Sequence, residues 1–307
     1  MKKQIYNLEF EAWCNEFTVY GYRFYRVDDY GQKVIMLQHR ASGIDEFELI
    51  TTTGKHVSTA YVDLPEIEEK AVLEWADSKA TALQDIVLLL TLFTGRDVFI
   101  ADEKFDENDR AVILADSNFF QWGGVLRCSI PFESSEPTLE GMSFNIGFEK
   151  SLNETYSIIR TEEWQKKYEN GFFLILSKQA FKRQTLESTF LQCWTIWEHL
   201  FAILNKQWLS EEEIIRLRSN DKIAYILVQY ALKDGISKAD RGKIQTLAEI
   251  RNRLIHFGRF PKRQSVHDDA QLFVRLTEFV IAKVLKFSPS NVFNTIEKFE
   301  NFLQRLK

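Results

Sequence analysis

The strand pattern of the apolar residues is lost for good near Glu149, and that change decides what each half can become. From Phe17 to about Asp63 the apolar residues come in short runs rich in Val, Ile, Tyr, Phe and Thr: FTVYGYRFYRV, KVIMLQH, FELITTT and HVSTAYVDL. Gly, Asp and Ser separate them, so they read as strands of a mostly antiparallel sheet. Between Ile67 and Phe93 the signal turns helical, because Ala, Leu, Glu and Lys dominate and TALQDIVLLLTLFTG ends in a glycine suited to a C-cap. Val98 to Ala101, Val112 to Ala115 and Ser143 to Phe148 read as further strands, which makes the first half α+β.

Beyond Glu149 the strand pattern is lost and helices follow, separated by short polar breaks. Glu162 to Ser177 reads as a connecting helix interrupted at Gly171. A long helix covers roughly Arg183 to Asn205, with Leu186, Phe190, Cys193, Trp197, Leu200 and Leu204 recurring at three- and four-residue spacing. Ser210 with Glu213 forms a capping box that opens the next segment, which breaks near Ser219 and resumes through Leu232. Another helix runs from about Lys238 to Phe257, where Gly258 and Pro261 stop it, and two more cover about Val266 to Lys286 and Asn291 to Leu306. The expected organisation is an α+β sensing or regulatory domain over 1–160, a connecting helix over 161–180 and an all-α bundle over 181–307.

Charge follows the same division. The chain carries a net −5, yet residues 181–307 hold 21 Lys and Arg against 14 Asp and Glu, a surplus of seven that leaves −12 for the first 180. A positive helical half suits a polyanion, although composition alone explains such a bias equally well. The three cysteines, Cys14, Cys128 and Cys193, are far apart and unpaired in pattern, so neither a disulfide framework nor a zinc site is expected. MKKQIYNLEF has no apolar run behind its lysines, and Ile86 to Phe93 is far shorter than a membrane span. The expectation is a cytoplasmic protein with no membrane segment, no cofactor and no metal.

The most specific chemistry lies in Arg251-Asn252-Arg253-Leu254-Ile255-His256, near the end of the Lys238 to Phe257 helix. At about 100° per residue, Leu247, Ile250, Leu254 and Phe257 share a stripe expected to face the core, whereas Asn252 and His256, four apart, lie opposite. A solvated polar face with a capping histidine fits that pattern on periodicity alone. The string RNRLIH, however, resembles the R-x4-H motif of HEPN domains, which lies in a helical bundle. The order of elements is also similar to ApeA-like HEPN proteins of bacterial antiphage systems: a helix carrying Trp194-Thr195-Ile196-Trp197-Glu198-His199-Leu200, then Asp221-Lys222-Ile223, then the motif helix. The resemblance covers about Phe181 to Lys307; the N-terminal half resembles no family we recognise.

That resemblance implies a homodimer that brings two motifs across a cleft and cleaves RNA, tRNA among the candidates, without a metal. It places the protein in antiphage abortive infection or among toxin-like effectors, with a phage-derived trigger met by the N-terminal domain. The residue types suit the chemistry, because RNA supplies its own 2′-hydroxyl nucleophile. Histidine can move its proton near neutral pH, and an arginine fork matches phosphate oxygens. His256 and Arg251 take these roles, and Asn252 orients His256 or bonds the phosphate. In an ideal helix Arg251 and His256 point about 140° apart, so convergence needs the reach of the arginine, local distortion or a second protomer.

Lys243, Arg253, Arg259, Lys262 and Arg263 surround the motif as candidate RNA contacts, although Arg253 is also placed to pair with Glu249. Glu198, inside an aromatic helix, is a supporting candidate that holds Arg251, or an exposed acid at the helix edge. Cys193 and His199 are six apart and do not meet on a helix, which excludes a thiol nucleophile there. His267-Asp268-Asp269 at a helix start reads as charge complementing the helix dipole rather than a metal site. A non-catalytic module that binds nucleotide, RNA or a partner protein remains the alternative, as does a dimerisation scaffold.

Overall fold

Two residues set the geometry of the sheet. Tyr20 and Gly21 both take positive φ, 50° and 86°, the turn that matches the twist of two adjacent antiparallel strands. It joins β2 (Glu16–Val19) to β3 (Tyr22–Arg26), pairing Val19 with Tyr22 and Glu16 with Tyr25. Phe17, Val19, Tyr22 and Phe24 alternate inward along the two strands, and the rings of Phe17 and Phe24 stack at 5.0 Å. In the computed structural model, which describes residues 1–8, 10, 15–33, 58–75, 79–94, 98–101, 144–181, 185–262 and 265–286, this hairpin is one edge of an antiparallel five-stranded sheet.

The strand order is β2-β3-β4-β1-β5, with β1 at Lys2–Tyr6, β4 at Ser58–Asp63 and β5 at Phe99–Ala101. β1 lies between β4 and β5, with Lys2 opposite Asp63 and Ile5 opposite Ile100. The sequence signal for β1 is weak because KKQIY begins with three polar residues, so its central position comes from its neighbours. The runs at 34–39 and 112–115, all of FELITTT and the helix expected at 291–306 lie outside the described residues.

Helices cover the sheet and then replace it. α1 (Ala82–Thr94) is apolar on every side and buried along nearly its whole length, as a central helix must be. The helical reading of 67–93 holds only for this second part. Residues 64–75 are irregular because the Asp85 carboxylate of α1 accepts the backbone N–H of Val72 at 2.7 Å and of Leu73 at 3.4 Å, and the indole N–H of Trp75 at 2.8 Å. A backbone donor claimed by a side chain is lost to a helix. Ser143 to Phe148 is a second correction: α2 (Phe144–Ile159) begins there, and SFNIGF continues a helix rather than forming a strand. Asn153 of α2 fixes the hairpin turn, donating to Thr18 O at 2.8 Å and accepting from Tyr20 N–H at 3.2 Å.

The expected interruption at Gly171 is present. α3 (Glu162–Lys167) and α4 (Phe172–Phe181) are separated by a 3-10 turn in which Asn170 and Gly171 have positive φ. A Cβ at Gly171 would stand 2.8 Å from both Leu73 and Trp164, so glycine is required by packing as well as by φ. α5 (Leu186–Asn205) is the hub of the helical half, touching α4, α7 (Ser219–Gln229), α8 (Lys238–Phe257) and α9 (Val266–Val284). The Phe273 ring of α9 sits 5.1 to 5.5 Å from Phe190, Trp194 and Trp197 of α5, and the Trp197 indole donates to Thr277 Oγ1 at 2.9 Å. α6 (Glu211–Arg216) opens with the expected capping box at Ser210 and Glu213. Among the described residues no helix is long and apolar enough to cross a membrane.

Candidate functional site

α8 carries the motif because both its ends are fixed. Ser237 and Asp240 form a capping box at the start, and Gly258, with φ 65°, closes the end by donating to Leu254 O at 2.8 Å. Ile250 and Leu254 are buried toward the bundle and Ile244 and Ala248 are buried beside them. Phe257 departs from the expected stripe: it is 59% exposed, as the last residue of the helix, and among the described residues no element covers that last turn. Asn252 and His256 are exposed and one turn apart, as their spacing requires.

Arg251 is half-buried, and its Nη1 donates to Asn252 Oδ1 at 3.1 Å. That bond brings the head of a side chain rooted on the bundle flank toward the Asn252 face. Arg253 lies over the Phe257 ring at 4.0 Å, and Glu249 instead accepts from Gln245 at 3.2 Å. The cation–π contact shields one side of the guanidinium and keeps Phe257 in place on the surface. Lys243, Arg259 and Lys262 are exposed around the helix, and Arg263 lies outside the described residues. Ile255, 51% exposed, and Phe257 flank His256 with apolar surface.

Glu198 does not hold Arg251. It accepts from Ser219 Oγ at 2.6 Å, from Lys222 Nζ at 3.0 Å and from the Trp194 indole at 3.0 Å. Burial alone would push this carboxyl up, but the three hydrogen bonds and the Lys222 charge outweigh it and hold the group below its ordinary range. Trp194, four residues back on the same helix, is within reach of sequence reasoning. Lys222 carries a signal too, as a lysine on the buried side of a helix otherwise holding Ile223, Ala224, Ile226 and Leu227 against α5.

The other candidates take structural roles. Cys193 is fully buried, and burial raises its thiol far above the ordinary value, so it stays protonated. His199 is half-buried with its ring edge-on to Phe172, and His267 stands edge-on to Phe260 at 5.1 Å. Among the described residues no three His, Cys, Asp or Glu gather as metal ligands. Comparison of the chain with protein-family models, curated proteins and solved structures found no match.

Proposed function

We propose that the helical half is a HEPN-type domain that cleaves RNA without a metal, with Arg251, Asn252 and His256 as its reacting set. The observation that carries this reading is the Arg251 to Asn252 hydrogen bond beside an exposed His256, which gathers a phosphate-binding fork, an orienting amide and a proton acceptor at one end of α8. His256 takes the proton of a ribose 2′-hydroxyl. The 2′-oxygen then attacks the adjacent phosphorus while Arg251 donates to the non-bridging oxygens. The bond from phosphorus to the 5′-oxygen breaks, leaving a 2′,3′-cyclic phosphate and a 5′-hydroxyl. The departing oxygen receives its proton from His256 of a second copy. Exposed Ile255 and Phe257 beside the motif favour such a homodimer, because apolar surface next to reacting groups is covered on association. Lys243, Arg259 and Lys262 extend the positive surface along which the strand lies.

In this reading the α+β half senses a trigger, and the biological setting is antiphage abortive infection or a related toxin-like activity. The test is incubation of purified protein with mixed tRNA and structured RNA in EDTA. Wild type cleaves, and His256→Ala lowers the rate by about a hundredfold or more while keeping its melting temperature. RNA retained by both proteins and cleaved by neither identifies a binding module instead.

A further inference from the structure

A groove of about 160 Å³ lies between the first turns of α7 and α8, lined by Arg218, Asn220, Asp221, Arg241, Gln245 and two apolar side chains. Its charge is positive. Arg241 reaches Asp221 only at 3.9 Å, with both side chains more than half exposed, and no ion pair reaches Arg218 among the described residues. Asn220 Nδ2 donates to Gln245 Oε1 at 2.6 Å across the groove, which leaves the Gln245 amide nitrogen bonded to Glu249 and ties the two helices together. No side chain caps the first turn of α7, where the Asp221 N–H turns back to Arg218 O at 3.0 Å. The volume exceeds the roughly 30 Å³ of a water several times, which is room for a phosphate group with some of its hydration.

The groove also has a fixed relation to the motif. Gln245, Asn252 and His256 share one face of α8, since seven and eleven residues are each close to a whole number of turns. Gln245 therefore lies about 16 Å along the helix from His256, a span that a single strand crosses in a few nucleotides. We infer that this groove is a second phosphate subsite, holding the backbone of the same RNA strand a few nucleotides from the bond that is cleaved. The inference rests on the RNA-cleaving reading of α8 and adds that the substrate is a single-stranded or unpaired segment running along the helix.

The test measures binding on the His256→Ala protein, so that it does not depend on turnover. Fluorescence anisotropy is followed with a graded series of short single-stranded RNAs and over a range of salt. Affinity is expected to rise stepwise once the strand is long enough to reach the groove. Arg218→Gln combined with Arg241→Gln is expected to erase that step, weaken the longer RNAs about tenfold, and flatten the salt slope by about 0.7 for each phosphate left without its arginine. Arg216→Gln, which removes an exposed arginine paired with Glu212 outside the groove, leaves the step in place. Unchanged affinity and slope in the double variant overturn the inference. So does equal binding of free AMP or inorganic phosphate without dependence on length, which would make the groove a nucleotide site. If wild type fails to cleave RNA but the step is present and disappears in the double variant, the subsite holds and the nuclease reading falls.

Discussion

Asp85 in the first half and Glu198 in the second are built alike and behave oppositely. Each carboxylate accepts three hydrogen bonds, one of them from a tryptophan indole. Asp85 is fully buried, its donors are neutral, and burial pushes it up to about 6 against an ordinary 3.8. Glu198 is partly exposed, one of its donors is the Lys222 ammonium, and it ends below its ordinary 4.5 despite the upward push of burial. Burial pushes both carboxyls up, Asp85 being the more deeply buried, and at Glu198 the hydrogen bonds from Ser219, Lys222 and Trp194 together with the Lys222 charge outweigh it. Asp85 pins a loop at a standing cost near neutral pH, whereas Glu198 and Lys222 pin α5 to α7 without one.

The comparison breaks most visibly at the charged pair. Glu198→Ala strands a lysine whose side chain is only 7% exposed, and a loss of about 3–5 kcal/mol in unfolding free energy is expected from urea titration. Adding Lys222→Met should restore most of it; failure to do so would mean that Ser219 and Trp194, not the charge, hold the joint. Asp85→Asn sharpens the contrast through pH. A raised folded pKa means that Asp85 stabilises fully below about pH 3.8 and loses that contribution as pH rises through 6, a swing of ~3 kcal/mol. Relative to wild type, the Asn variant should therefore lose ground as pH falls from 7.5 towards 5. Glu198, with a lowered folded pKa, runs the other way: its contribution is present above 4.5 and lost as pH falls through the folded value. A pH-independent effect of Asp85→Asn would refute the assignment. The smallest effect expected is that of Ser219→Ala, about 1 kcal/mol in the same titration, because two donors to Glu198 remain.

Local rules carry much of the architecture and little of its joints. The hairpin at Tyr20 and Gly21, the cap at Ser210, the stop at Gly258 and the exposed pair Asn252 and His256 all follow from neighbours in the sequence. What is not legible there depends on partners far along the chain. Residues 67–81 have a helical composition, yet Asp85 captures the donors that a helix would need. Phe257 fits an apolar stripe, yet as the last residue of its helix it is 59% exposed. Glu198 suggests an arginine partner on the motif helix, whereas Lys222 on α7 arrives first. The groove beneath Arg218 and Arg241 exists only once α7 and α8 are side by side, so no spacing within either helix announces it.

The short segment around α3 has a consequence for dividing the molecule. Trp164 donates its indole N–H to Val284 O at the far end of α9, while Asn170 O accepts from the backbone of Glu74 and Leu73 packs where Gly171 lacks a side chain. The segment is thus shared property of both halves. A bundle cut free at residue 181 would lose the plug over the end of α9, and a sheet cut free at residue 160 would lose the floor beneath its irregular loop. Either fragment would expose apolar surface that the intact chain hides, so a soluble, folded piece of the helical half has to begin ahead of Thr161 and bring Trp164 with it.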